Sequence, residues 1–412
     1  MKFSRKIVPE INLKQNFITK KRLREDEINF ERLRSYRLDR VKKELEKNNL
    51  EACILFDPVN VRYALDSVNM SVYNMHNLTR YCFVPVDGPV ILYEYFNCEI
   101  LSSHLNLIDE IRPAITWDYF SNGDQASLEL KKWINEVLDL SKKYFKSKKI
   151  AIDVLNGPAV TDLNKNGIEV VDAKSILEQA RVIKSPDELI CMKAAIDVAE
   201  IGISKMRSEL RPGMTEDELW SILHKTNIEH GGEWIECRIL SSGQRTNPWM
   251  QESSNKVIQY GEMVGFDTDM VGPYGYCADI SRSFVVDNKF NEEQKKLYSI
   301  AMEQIDYNSK LIKNGMAFEE FVEKSWVLPQ EYYPNRYSVM VHGIGLCDEW
   351  PAIRYPDDGG ERTGVFKKNM TITVESYIGK VKGKEGVKLE QQYLVGENGL
   401  ELMSHHPLED IK

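Results

Sequence analysis

What this sequence lacks narrows the field before any motif is read. Its seven cysteines (Cys53, Cys82, Cys98, Cys191, Cys237, Cys277 and Cys347) are scattered and form no CxxC pair. That excludes a zinc-ribbon spacing and offers no disulfide framework, so buried free thiols are expected, with Cys277 and Cys347 as small apolar fillers. An excess of basic charge is also missing. The net charge of -9 argues against a nucleic-acid-binding face. No uniformly apolar stretch approaches the roughly 20 residues of a membrane-crossing helix. The opening residues, MKFSRKIVPEINLKQ, lack the apolar run of a secretory signal. The expectation is a cytoplasmic protein with neither nucleic acid nor membrane as partner. There is no internal repeat and no low-complexity segment. What is present, 412 residues with 42% hydrophobic and 28% charged side chains, suffices for two domains with sizeable cores.

The first thirty or so residues are charged, show no clean period and read as an extended arm. A helical pattern covers 27–48. Short β runs follow at 52–56, 81–85 and 90–93, then a helix at 125–143 and a strand at 149–154. Strands alternating with helices predict an α/β first domain over residues 1–178. The second domain, 179–412, opens on Ser185-Pro186-Asp187-Glu188. Serine can cap a helix, proline suits its first position, and Glu188 closes a capping box. Further helices are expected at 215–230 and 292–312, and strands within 260–286, 370–378 and 387–396. The second domain therefore reads as α+β, with an antiparallel-leaning sheet.

Four stations in this second half carry acids or a histidine in unusual places. They are Gly265-Phe-Asp267-Thr-Asp269 running on to Asp279-Ile-Ser-Arg282, then Val341-His342-Gly343-Ile-Gly345, Thr371-Ile-Thr-Val-Glu375, and Val387-Lys-Leu-Glu390. A carboxylate inside an apolar β run is costly unless it is paired or bound to metal. Residues two apart on a strand share a face, so Asp267 and Asp269 are expected to converge. Five carboxylates gathered together would repel one another. Two divalent ions about 3.5–4 Å apart would resolve the repulsion.

The order Asp, Asp, His, Glu, Glu with these flanking residues resembles the pita-bread metallopeptidase superfamily of prolidase, aminopeptidase P, methionine aminopeptidase and creatinase. Gly275-Tyr-Cys-Ala-Asp279-Ile-Ser-Arg282 is similar to its second-aspartate motif, His342-Gly-Ile-Gly to its histidine motif, and Arg181-Val-Ile-Lys184-Ser-Pro-Asp-Glu188 to its interdomain junction. The resemblance covers nearly the whole chain. It implies a creatinase-like first domain and a pita-bread second domain holding two metal ions on Asp267, Asp269, Asp279, His342, Glu375 and Glu390.

The sequence departs from the peptidases where they keep extra histidines. Trp249 follows Asn247-Pro248, and Asp348 stands in Asp348-Glu349-Trp350-Pro351. The two leading aspartates lie twelve and ten residues before Asp279, against a common peptidase gap of eleven. Of the seven histidines, His76 and His104 fall in the first domain, His224 and His230 on an expected helix, and His405 and His406 in the tail. Surface or core duty is expected for each of these, and for His76 a neighbouring subunit's site is the alternative.

The departures resemble one branch, the dimethylsulfoniopropionate lyases of the DddP type. The Asp267-x-Asp269 pair, Tyr337 five residues before the histidine and Asp348 six after it carry that resemblance. It implies a metal-assisted elimination that releases dimethyl sulfide and acrylate from a small sulfonium substrate. Iron is the metal implied, with zinc or manganese as substitutes. Asp348 would be the base, with Tyr337 as a second catalytic group. Trp249, Trp350 and Tyr73 would offer aromatic faces to the sulfonium cation. The creatinase-like relatives imply a homodimer. Two rival readings stay open: an Xaa-Pro dipeptidase-like or aminopeptidase-like hydrolase, and a non-catalytic binding protein on the same fold.

Overall fold

The computed structural model describes residues 19–411. The chain folds as two compact units, Asn29–Arg181 and, joined to the short segment Lys21–Ile28, the residues from 182 onward. Of the expected arm, residues 1–18 lie outside the described part. The next stretch belongs to the second unit. Arg24 pairs with Asp197 at 2.7 Å, and the Tyr274 hydroxyl donates to the Leu23 carbonyl at 2.8 Å.

The first unit is built on one mixed six-stranded sheet. Its strands are β1 (Ala52–Leu55), β2 (Tyr81–Pro85), β3 (Ile91–Glu94), β4 (Glu110–Pro113), β5 (Lys149–Ile152) and β6 (Glu169–Asp172), in the order β4-β3-β2-β1-β5-β6. The strands are short, and β1, β2 and β3 are buried along their whole length, as continuous apolar runs require. The helix Ala126–Tyr144 lays Trp133, Ile134 and Val137 on this core, where Trp133 meets Trp117 at 4.5 Å. Elements anticipated at 52–56, 81–85, 90–93, 125–143 and 149–154 all form, each within about two residues of its expected ends. β4 and β6, half-buried edge strands, gave no apolar signal strong enough to be read.

The second unit opens with the helix Pro186–Glu209. Ser185 caps it, and both reciprocal hydrogen bonds of the box with Glu188 are made. Helices Glu216–Glu229 and Glu292–Leu311 also start on capping boxes. The strands are β7 (Leu240–Ser242), β8 (Met263–Phe266), β9 (Met270–Val271), β10 (Cys277–Ala278), β11 (Arg282–Val285), β12 (Val339–Ile344), β13 (Asp348–Arg354), β14 (Thr371–Gly379), β15 (Gly386–Val395) and β16 (Leu400–Leu402). They form sheets of order β11-β8-β7 and β13-β12-β14-β15-β16, with the pair β10-β9 beside them, and every pairing is antiparallel. Two bonds stitch the larger sheets together: Glu390 N donates to the Ser281 carbonyl at 3.2 Å, and Lys388 N to Ser283 Oγ at 3.1 Å. The α/β plus α+β class read from the sequence is the class observed. None of the seven cysteines is in a disulfide, and Cys277 is buried while Cys347 is part-exposed. Among the described residues no helix is long and apolar enough to cross a membrane.

Candidate metal centre

The acids gather where β8, β12, β14 and β15 bring their side chains together. Glu375 on β14 and Glu390 on β15 are direct partners across the antiparallel ladder, so both side chains leave the same face. One strand over, β12 pairs with β14 and supplies His342 beside Thr373. Glycine spacing lets β12 take this place. A Cβ on Gly343 would collide with the Trp350 carbonyl oxygen, and one on Gly345 with the Glu349 carboxylate.

Asp267 and Asp269 reach the same space differently from the expectation. They do not alternate along a strand, because β8 ends at Phe266 and β9 starts at Met270. Asp269 instead adopts a positive φ of 34°, which turns the chain between the two acids. Thr268 fixes this turn to the next acid. Its hydroxyl donates to the Ala278 carbonyl at 2.7 Å and accepts from Ile280 N at 2.9 Å, on either side of Asp279.

Two ligand-sized clusters result. One joins Asp279, His342 and Glu390, and the other joins Asp269, Asp279 and Asp348. In each, donor atoms lie within 4.8 Å of one another, and Asp279 is common to both. His342 Nε2 is 3.3 Å from Asp279 Oδ2, 3.3 Å from Glu390 Oε1 and 3.8 Å from Glu375 Oε1. Its Nδ1 lies 2.9 Å from the Gly343 carbonyl, which can only accept. That contact takes an Nδ1 proton and turns Nε2 toward the acids, so that loss of the Nε2 proton gives the tautomer a metal ligand needs.

Three buried oxygens at this point, Asp279 Oδ1, Glu375 Oε1 and Glu390 Oε1, accept no hydrogen bond. Buried acceptors are otherwise satisfied nearly everywhere in proteins. Unsatisfied carboxylate oxygens converging on an imidazole nitrogen fit hard or borderline divalent metals. Packed this closely, the acids shift one another's pKa values in opposite directions. Burial, then repulsion from Glu390, Asp267 and Asp269, pushes the Asp279 carboxyl well up. Burial, then Asp267 and Asp348, does the same to Asp269. Glu375 is pushed up to about 8, chiefly by burial, with Lys388 acting against the shift. Glu390 is also desolvated, but Lys388 and His342 outweigh that and hold it below the carboxylate range.

Lys388 was not foreseen, and it sits at the bottom of the cage. Its side chain is only 1% exposed. Nζ lies 2.9 Å from Glu375 Oε2, 2.9 Å from Glu390 Oε2, 3.1 Å from Asp267 Oδ2 and 2.8 Å from Ser281 Oγ. The signal was available in Val387-Lys-Leu-Glu390. A lysine two residues before an inward glutamate on a buried strand must point the same way.

At the mouth, Asp348 opens β13 with its side chain 58% exposed and Oδ1 3.7 Å from His342 Nδ1. Desolvation by the packed floor beneath it raises its pKa. Glu390 and Asp267 add to the shift, and His342 and Lys388 act against it. The neighbouring Glu349 fixes the hairpin through a buried pair with Lys184 at 2.6 Å, and its Oε1 accepts from Leu346 N at 3.1 Å.

An aromatic wall stands beside the lysine. Trp249 packs with Ile239 and Tyr377, and Tyr337 and Cys237 border them. Lys388 Nζ lies 5.3 Å from the Trp249 ring centre and 5.5 Å from that of Tyr337. Glu216 holds the loop that carries Trp249, accepting from Ser242 N and Ser254 Oγ and pairing with Arg245. Trp350 packs elsewhere, on Phe318 at 5.3 Å, and its indole N–H donates to Glu361. Tyr73 lies in the first unit, on the short helix Ser71–His76. Of the six expected ligands, four fall in the two clusters, while Asp267 and Glu375 each give an oxygen to Lys388.

Residues 190–397 match the model of metallopeptidase family M24. The chain is 35% identical over 389 residues to the dimethylsulfoniopropionate lyase DddP of Roseovarius nubinhibens, covering 92% of this chain and 87% of that one. Over 386 residues it is also 35% identical to the DddP lyase of Roseobacter denitrificans, covering 92% and 86%. Among solved structures, the Xaa-Pro dipeptidase from Bacillus anthracis shares the fold with a TM-score of 0.75 at 21% identity, covering 92% of this chain and 99% of that one.

Proposed function

Because this chain belongs to metallopeptidase family M24 and, within it, to the DddP dimethylsulfoniopropionate lyases, we propose that it splits dimethylsulfoniopropionate into dimethyl sulfide and acrylate. The observation that carries the reading is identity along nearly the full length of both proteins, together with Trp249 and Asp348 standing beside the cage.

The ligands proposed are Asp267, Asp269, Asp279, His342, Glu375 and Glu390, for two metal ions, with iron as the metal. When bound, the metal supplies Lewis acidity that spreads the negative charge developing on the substrate carboxylate. The chain's own residues do the rest. Asp348 is the base. Exposed at the mouth and shifted upward, it takes the proton from the carbon next to the carboxylate. The C–H electron pair becomes the second bond of the alkene, the C–S bond breaks, and dimethyl sulfide leaves with that bond's electrons. Tyr337 keeps its proton, because Glu375 and then burial raise its pKa, and it is proposed as a donor near the reacting carboxylate. Trp249 offers an aromatic face to the sulfonium, an attraction worth roughly 0.5–2 kcal/mol.

The chain is further proposed to act as a cytoplasmic homodimer of two-domain subunits that divide near residue 178. Exposed apolar side chains in the first unit, among them Met70, Val72, Phe96, Tyr119 and Phe120, support association. Light scattering that gives a monomer at micromolar concentration would contradict it. The activity is tested by offering the metal-loaded protein dimethylsulfoniopropionate and an Xaa-Pro dipeptide in parallel. Dimethyl sulfide with equal acrylate supports the lyase. Release of proline without dimethyl sulfide supports a dipeptidase and overturns it.

A further inference from the structure

A lysine is an unexpected occupant of a metal cage. Its ammonium repels incoming cations, and it takes carboxylate oxygens that could otherwise bind them. Its geometry shows what it does instead. Lys388 has three N–H donors and four acceptors around it, Asp267, Glu375, Glu390 and Ser281, at 2.8–3.1 Å. With every proton engaged, it has none left for a substrate carboxylate, so it does not bind substrate.

The oxygens also divide by direction. Glu375 and Glu390 each turn Oε2 to Lys388 and leave Oε1 without a hydrogen bond on the His342 side. The lysine therefore fixes the rotation of both carboxylates and presents their free oxygens to the space where Asp279 and His342 converge. Its own position is over-determined. Lys388 N donates to Ser283 Oγ, its carbonyl accepts from the same hydroxyl, and its Nζ lies over the Trp249 and Tyr337 rings.

We propose that Lys388 is a positioning residue that holds the carboxylate cage folded and correctly turned before metal arrives. In the metal-free chain it is the fixed positive charge shared by Asp267, Glu375 and Glu390. Once metal is bound, the ions take over most of that balance. Lys388 should therefore matter more to the metal-free protein than to the loaded one, which a residue that merely packs would not. The inference rests on the cage being a metal centre, and that premise is checked separately by counting metal in the wild-type protein.

The test is thermal unfolding of chelated and metal-loaded samples of the wild type and of K388M, K388R and the double variant K388M/E390Q. K388M keeps the stem and removes the charge. It is expected to lower the melting temperature of the chelated form by about 5–10 °C and that of the loaded form by less than half as much. K388R, which retains charge and donors, should recover most of the chelated loss. E390Q removes the carboxylate charge left unbalanced and should recover part of it in the K388M background. By linkage, a smaller loss in the loaded form means that calorimetric titration should show tighter metal binding in K388M than in K388R. Equal losses in both states, or metal binding in K388M no tighter than in K388R, would overturn the proposal. If K388M does not accumulate, the double variant decides. Its accumulation supports charge balance, and its absence assigns Lys388 to packing and overturns the inference. A wild-type protein that binds no metal would defeat the metal centre itself, a distinct result.

Discussion

Asp153 in the first unit and the cage acids in the second are all buried, but they are treated in opposite ways. In the first, Asp153 follows β5 and both of its oxygens are satisfied. Phe56 N and Val154 N donate to Oδ1, and Asp57 N and Asn60 Nδ2 donate to Oδ2, at 2.7–3.2 Å. This carboxylate ties β1 to β5 and needs nothing from outside. In the second unit, Asp279, Glu375 and Glu390 are as deeply buried, yet each keeps an oxygen with no donor. The difference separates an acid that builds the fold from acids that await a ligand. Burial alone does not distinguish them, but the hydrogen-bond inventory does.

The largest expected effect breaks the comparison at Asp279, which both clusters share. Asp279→Ala should remove metal and dimethyl sulfide release together, as read by elemental analysis and headspace gas chromatography. Asp153→Ala should leave the metal content per folded chain unchanged. Next comes Asp348, which touches the cage but faces solvent. Asp348→Asn should lower kcat by about 10²–10⁴-fold, the usual worth of a general base, while metal stays near the wild-type level. If turnover survived, the base would be Tyr337 or another group. A parallel loss of metal would make Asp348 a ligand, as its membership of the second cluster allows.

Much of this centre was legible in the sequence, and the exceptions have physical causes. Glu375 and Glu390 were found because acids stand out in buried β runs, and the ladder then set them opposite each other. His342 stood out between glycine and valine, but β12 and β13 went unread, since the glycines that let these strands approach closely also dilute the apolar pattern. The Asp267–Asp269 convergence was anticipated for the wrong reason. A strand was assumed where Asp269 takes a left-handed turn, a feature no alternation pattern reveals. Lys388 was missed because the rule that a buried charge needs a partner was applied to acids and not to the base beside them.

A smaller effect is expected at the aromatic wall. Trp249→Leu keeps apolar bulk and removes the ring, so KM for the sulfonium substrate should rise roughly 2–30-fold with kcat little changed. A neutral isostere of the substrate should be indifferent to the change in a binding assay.

The smallest effect sharpens the other side of the comparison. Burial raises the Asp153 carboxyl to about 6, from an ordinary value near 4. Between those values the folded chain binds more protons than the unfolded one, so stability contributed here falls as pH rises through that window and then levels off. The fall is at most about 3 kcal/mol. Asp153→Asn should flatten it, at lower stability throughout because the amide NH2 would face other donors. Denaturant unfolding at pH 4 to 7 checks the slope.

The most direct test of the central claim uses one preparation of the wild-type protein. It is stripped with chelator, then reloaded stepwise with iron, and at each step metal per chain and dimethyl sulfide release are measured on the same sample. The account expects almost no release from the stripped protein and recovery that rises with bound metal. Full release from protein verified to be free of metal would contradict it.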